Sequence, residues 1–77
     1  MLFRSPKKKT ISINLPSDKE TVLVKIEVGN TVAYEGTVNV AGTNGSFSRT
    51  VEGSGVQTIS IYFDGVLQQQ YQVDFDE

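Results

Sequence analysis

Side chains that do chemistry are scarce in this sequence. The chain of 77 residues contains no cysteine and no histidine, which excludes disulfides, thiolate nucleophiles, Cys/His zinc sites and imidazole catalysis. Serines and threonines are numerous, but a hydroxyl nucleophile needs an adjacent base. No glycine is followed by Lys-Ser or Lys-Thr, so no phosphate-binding loop is present. We therefore expect no catalytic residue, no cofactor and no enzyme activity.

Two carboxylates near the end of the chain are the best remaining candidates for acid–base chemistry. Asp74 and Asp76 alternate on one side of a strand, but at a chain end neither burial nor a charged neighbour raises a carboxyl pKa. Together with Asp64 they offer oxygen ligands for calcium, yet no run has the spacing of a calcium-binding loop. We interpret these carboxylates as solvated, and we predict no metal site.

The charges are unevenly distributed, although the net charge is only −2. Arg4 and the three lysines Lys7, Lys8 and Lys9 form a basic N-terminal run. Nucleic-acid binders are basic over the whole domain, so we expect no nucleic acid as a partner. We interpret the run as a solvated lead-in to the first strand, with binding of phosphate or an anionic polymer as the rival interpretation.

One stretch is unusual because it lacks charge. Residues 53–73 contain a single charged side chain, Asp64. Amide and hydroxyl groups both donate and accept hydrogen bonds, and an aromatic face packs on C–H groups, so such a surface suits a neutral polar ligand. A plain solvated sheet face is the alternative. The candidate ligand-binding face consists of Tyr62, Gln68, Gln70 and Ser60.

The elements that must position these residues are strands. Apolar residues alternate with polar ones almost everywhere, turn signals recur about every ten residues, and no helical apolar stripe is present. The pattern predicts an all-β fold, a small antiparallel β-sandwich of six or seven strands, with a bend or bulge at Gly36 and a turn at Asn44-Gly45. Its longest uninterrupted apolar run, residues 22–24, is far too short to cross a bilayer. We expect a monomer that does not insert into a membrane.

The last hairpin poses a question of register. A plain two-residue turn at Asp64-Gly65 would place glutamines among the core residues. We therefore predict a three-residue loop that shifts the pairing by one residue. Leu67 and Tyr71 would then join the core, and Gln69 would lie at its rim, because burying a large apolar side chain stabilises the fold by about 1.5–3 kcal/mol.

Several segments together resemble a known family. They are residues 10–16 (TISINLP), 22–28 (VLVKIEV), 34–38 (YEGTV), 51–55 (VEGSG) and 59–65 (ISIYFDG). They are similar to the small domain that closes the extracellular part of bacterial PASTA-containing Ser/Thr protein kinases, after the cell-wall-binding PASTA repeats. The resemblance covers roughly residues 8–75 and implies an immunoglobulin-like sandwich. It implies a place at the bacterial cell surface, but no kinase activity in this segment.

Two function classes stay open. The first is a non-catalytic extracellular sensor or spacer module of a membrane receptor Ser/Thr kinase, with peptidoglycan fragments or a cell-surface protein as partner. The second is an immunoglobulin-like structural repeat of a bacterial adhesin or a secreted glycan-degrading enzyme. In either class we expect residues 1–7 to be a lead-in or linker, residues 8–75 the sandwich and residues 76–77 a tail.

Overall fold

The predicted all-β fold is confirmed. A computed structural model describes residues 7–76, in which the regular elements are six strands and one short 3₁₀ turn. Residues 1–6 of the expected lead-in (residues 1–7) and the last tail residue, Glu77, lie outside the described part. The strands are β1 (Lys7–Asn14), β2 (Thr21–Val28), β3 (Thr31–Asn39), β4 (Ser46–Gly53), β5 (Val56–Phe63) and β6 (Val66–Asp74), and the 3₁₀ turn spans Ala41–Thr43.

The strands form two antiparallel sheets. One sheet has two strands in the order β1-β4, and the other has four in the order β3-β2-β5-β6. Immunoglobulin sandwiches pair strand B with E in one sheet and C with F and G in the other. The six strands follow that scheme, with β1 and β4 as B and E, with β2, β5 and β6 as C, F and G, and with β3 flanking C. Among residues 7–76, no strand takes the place of A beside β1.

The core lies where the narrow sheet covers the middle of the wide one. Strands within a sheet are about 4.8 Å apart, so two strands cover only two of the four opposite them. The covered strands are β2 and β5, whose inward residues Ile26, Ile59 and Ile61 are fully buried. The core side chains are Ile11, Ile13, Leu15, Val22, Val24, Ile26, Val28, Val38, Val40, Val51, Ile59, Ile61 and Phe75.

The two outer strands of the wide sheet, β3 and β6, differ in how far the narrow sheet covers them. On the β3 side, Tyr34 is covered from β4: its ring centroid lies 5.4 Å from that of Phe47, and the Arg49 guanidinium carbon lies 4.7 Å from it. On the other side, β6 is exposed from Val66 to Gln72, seven residues in succession. The narrow sheet therefore lies over β2 and β5 and reaches β3 through the Phe47 and Arg49 side chains, and it leaves β6 uncovered from Val66 to Gln72.

The predicted irregularity in β3 is found at a different residue. Tyr34 pairs with Ile26 and Val32 pairs with Glu27, so Ala33 is the extra residue of a bulge. Gly36 pairs regularly. The absence of a side chain there has another reason, because a Cβ atom would lie 2.9 Å from the Tyr34 hydroxyl.

The predicted three-residue loop in the last hairpin is wrong. Phe63 pairs with Val66 across a two-residue turn in which Asp64 and Gly65 both have positive φ, 52° and 85°, as a type I′ turn requires. The reason is a reciprocal bond to β2: the Asp64 amide donates to the Leu23 carbonyl (2.9 Å), and the Asp64 Oδ1 accepts from the Leu23 amide (3.0 Å).

The shift by one residue nevertheless occurs further along the hairpin. Leu67 pairs with Tyr62 and Gln69 pairs with Ile61, so Gln68 is the extra residue of a bulge. Beyond it Gln69 and Tyr71 lie on the core side, as predicted. The predicted burial is wrong: Leu67 lies on the outer face, 46% exposed, and Tyr71 is 38% exposed. Neither register buries β6, because the narrow sheet does not reach it.

The chain enters and leaves the described sandwich at the same end. Lys7 pairs with Gly53 at the end of β4, so the strand already begins at the residue expected to close the lead-in. Phe75 donates its amide to the Gly55 carbonyl (2.9 Å), and Asp76 accepts from the Gly55 amide through Oδ2 (3.1 Å). Asp76, expected to be a solvated tail, is thus bonded to the β4–β5 turn. We call this the proximal end, and the end that carries the β5–β6 turn the distal end.

Candidate functional site

Three of the four candidate residues share the outer face of the wide sheet. Ser60 pairs with Gln70, and Tyr62 is two residues further along β5 on the same face. The fourth, Gln68, is the bulge residue and lies apart from them. It lines a distal hollow with Phe63 and Val66. The structure therefore brings Tyr62, Ser60 and Gln70 together and leaves Gln68 out.

Ser60 is a buried polar residue rather than an exposed contact. It is 4% exposed, and the Gln70 amide donates to its hydroxyl at 3.1 Å. A buried hydroxyl without a partner would cost about 1–3 kcal/mol, so this bond keeps the site satisfied. A ligand on this face therefore meets the Gln70 side chain first and reaches Ser60 only if that amide moves.

The Tyr62 ring is flanked by charge. The Lys25 ammonium lies 4.7 Å from the ring centroid, within cation–π range. Lys25 also pairs with Glu27, with 3.8 Å between Nζ and Oε2. The prediction of an uncharged surface holds for β5 and β6, but the neighbouring β2 contributes an ion pair. Because its two charges neutralise each other, the part of the face that β2, β5 and β6 form around Tyr62 stays close to neutral.

Leu67 is the residue of this face that sequence reasoning missed. It pairs with Tyr62 on the outer side and is 46% exposed. Its side chain extends the Tyr62 ring into a small apolar surface bordered by Gln70 and Lys25. The alternation of apolar and polar residues does not reveal this. The bulge at Gln68 puts Leu67 on the same outer side as Gln70, whereas regular alternation from Gln70 would put Leu67 on the core side.

The narrow sheet carries a second uncharged outer surface, made of hydroxyl groups. Thr10 pairs with Thr50 and Ser12 pairs with Ser48, and the two threonine hydroxyls are 3.4 Å apart. No aromatic side chain lies among these paired positions, so the surface offers hydrogen bonds without a stacking platform. It is therefore less suited to a sugar ring than the Tyr62 face.

The charged candidates do not assemble into a metal or acid–base site. Asp64 lies at the distal end, whereas Asp74 and Asp76 lie at the proximal end, where Asp74 Oδ1 accepts the Asp76 amide at 3.0 Å. Within residues 7–76, no group of three or more carboxylates could hold a metal ion. In the same part of the chain, no helix is long and apolar enough to cross a membrane.

An open hollow of about 470 Å³ at the proximal end has mixed polar and apolar walls. Two of its polar side chains are already engaged: the Gln57 amide donates to the Ser54 carbonyl (2.8 Å), and Glu52 lies 3.9 Å from the Lys8 ammonium. The expected basic segment is thus partly neutralised where it meets this hollow. Lys7 and Lys8 are both exposed.

A scan against protein families, a search of curated proteins and a search of solved structures find no match for this chain. Its function therefore has to be inferred from its own residues and their geometry.

Proposed function

We propose that the chain is a non-catalytic extracellular sensor module of a bacterial membrane receptor Ser/Thr kinase, held at the cell surface next to the cell wall. The observation that supports a sensor best is the direction of the chain. Lys7 and Asp76 both lie beside the β4–β5 turn, so both ends of the described sandwich lie together and its distal loops are presented on the opposite side.

The proposed ligand is a peptidoglycan fragment, with a cell-surface protein as the other candidate partner. The binding surface is the outer face around Tyr62, Leu67 and Gln70. The Gln70 side-chain amide can exchange its bond to Ser60 for bonds to sugar hydroxyls or peptide groups. The Tyr62 ring and the Leu67 side chain can pack on C–H groups. A near-neutral face loses little on desolvation when a ligand replaces its hydrogen bonds. Binding by the monomer is weak and depends little on salt.

Chemical-shift mapping with muropeptides and with teichoic acid, at low and high salt, tests this proposal. We expect muropeptides to shift the amides of Ser60, Tyr62, Leu67 and Gln70 at both salt concentrations. A matched pair of variants separates the two sides of β6. Gln70→Ala should weaken binding, and Gln69→Ala, one residue away on the core side, should leave it unchanged. Shifts confined to residues 7–9 and abolished by salt would assign binding to the lysines instead. No shift at all would overturn the ligand proposal.

A further inference from the structure

The distal hollow is lined by two loops of the sandwich. Its walls come from the end of β1 with the β1–β2 loop, and from the β5–β6 turn with the strand residues beside it, all within the described residues. In the immunoglobulin scheme these are the B–C and F–G loops, which bind antigen in antibody variable domains. The hollow has a volume of about 480 Å³, within the range of about 300–1,000 Å³ that is typical of ligand sites.

Part of the wall of this hollow is apolar. Leu15 and Pro16 contribute from the β1 side, and Phe63 and Val66 contribute from β5 and β6. Val66 is 61% exposed, so its side chain offers surface that a ligand can cover. Covering an apolar wall removes it from water, which favours a ligand with an apolar part.

The rim of the hollow has an excess of negative charge. Its charged side chains are Asp18, Lys19 and Asp64. Lys19 and Asp64 pair with each other, with 3.7 Å between Nζ and Oδ2. Asp18 takes part in none of the ion pairs or side-chain hydrogen bonds found among residues 7–76. The hollow therefore favours a cation, which finds the Asp18 carboxylate unpaired, over an anion, which finds only the lysine that Asp64 already holds.

Two side-chain amides complete the rim on opposite walls, Asn14 at the end of β1 and Gln68 in β6. Within residues 7–76 the Asn14 side chain makes no hydrogen bond, and the Gln68 amide makes a local one of 3.3 Å to the Val66 carbonyl. An amide both donates and accepts, as a peptide group does. The two side chains can therefore bond the main chain of a peptide whose side chain enters the hollow.

We propose that the distal hollow binds a basic side chain of a peptide ligand. The methylene stem packs on Phe63 and Val66, and the charged group pairs with Asp18. Basic side chains suit such a site because their stems cover apolar surface while their charge stays at the water-exposed rim. An exposed ion pair contributes little affinity alone, so the apolar wall and the two amides contribute the rest. This site is separate from the Tyr62 face and does not depend on muropeptide binding there.

Three blocked tripeptides test the proposal on the full chain, with lysine, Nε-acetyl-lysine or glutamate between two alanines. Acetylation keeps the methylene stem and removes the charge, and glutamate reverses the charge. At millimolar concentration the lysine peptide should shift the amides of Asp18, Val66 and Gln68. It should bind at least about threefold more tightly than the acetylated peptide at low salt, and this difference should decrease at high salt. The glutamate peptide should leave these amides unshifted.

Two pairs of variants provide matched controls. Asp18→Asn should weaken binding of the lysine peptide about threefold. Glu20→Gln removes the same charge from the same loop but lies outside the hollow, so it should weaken binding less. Val66→Ser should weaken binding of the lysine peptide about threefold through loss of apolar contact. Val56→Ser should leave it unchanged, because Val56 is as exposed, at 60%, but lies at the proximal end.

Several outcomes would overturn the proposal. They are equal binding of the lysine and acetyl-lysine peptides, equal losses in Asp18→Asn and Glu20→Gln, shifts that lie only outside the hollow, and the absence of any shift. Concentration-dependent shifts of the hollow without peptide would show that a second copy of the chain occupies it instead. Gln70→Ala separates this site from the Tyr62 face, because it should weaken muropeptide binding and leave binding of the lysine peptide unchanged.

Discussion

The proximal end depends on a close approach between Gly53 and Phe75, and a double-mutant cycle can measure it. A Cβ atom on Gly53 would lie 3.0 Å from ring carbons Cδ1 and Cε1 of Phe75 and 3.2 Å from Cζ. Gly53 does not have a positive φ, so alanine is allowed by the backbone and the cost of Gly53→Ala comes from the ring. Phe75 is 1% exposed and cannot move aside into water without leaving the core.

The expected magnitudes follow from these contacts. Overpacking a core costs about 1–3 kcal/mol, whereas replacing a glycine by alanine at a compatible position gains about 0.4–1 kcal/mol through the unfolded state. Gly53→Ala should therefore lower the free energy of unfolding by about 1–2 kcal/mol. That is a large share of the 4–12 kcal/mol, roughly, that a chain of 77 residues has.

Urea denaturation followed by circular dichroism, with and without Phe75→Leu, is the assay. Phe75→Leu alone should cost about 1–2 kcal/mol because it removes buried carbon. In that background Gly53→Ala should cost nothing or stabilise the fold, which gives a coupling energy of about 1–3 kcal/mol. Gly42→Ala is the matched control, since a Cβ there meets nothing within 4 Å. If Gly53→Ala cost the same in both backgrounds, the reasoning about the ring would be wrong.

Three further predictions concern the distal turn, the chelator response and the alkaline limit. Asp64→Ala should cost about 2–3 kcal/mol because it removes the acceptor for the Leu23 amide and places at positive φ a side chain that cannot hydrogen-bond locally; Asp64→Asn, which keeps an acceptor oxygen and tolerates positive φ, should cost less than about 1 kcal/mol in the same urea assay, and equal losses would contradict this. Addition of a chelator should leave the thermal midpoint unchanged, and a drop of several degrees would reveal a structural metal. Burial raises the pKa of Tyr71 above its ordinary value of 10.0, so its contribution to stability is present below pH 10 and is lost as the pH rises through the raised pKa. Absorbance titration should show a tyrosine that ionises above pH 10, and Tyr71→Phe should remove that transition.

Local features of the sequence determined the strands and their tight turns. Alternation of apolar and polar residues located all six described strands, because one covered face per strand is enough to produce a period of two. Asn44-Gly45 was identified as a turn from residue type alone, and both residues have positive φ, 56° and 85°. Ser60 and Gln70 were placed on one face correctly, since the shift that the hairpin needed was derived from the core residues Ile59 and Ile61.

Only the tertiary structure decided where that shift occurs and which faces are covered. Asp64 is hydrogen-bonded to Leu23, a residue 41 positions away, and no local pattern indicates this contact. The contact selects the two-residue turn. The extra residue that shifts the strand register is therefore Gln68 in β6 rather than a third residue of the turn. Tyr71 has the side chain of a core residue, but its burial depends on whether a second sheet extends over it, and the bulge at Gln68 places Leu67 on the outer face. A two-stranded sheet cannot cover a four-stranded one, so Val66 and Tyr71 on the core side of β6 stay exposed. The alternation of apolar and polar residues does not reveal how many strands each sheet has.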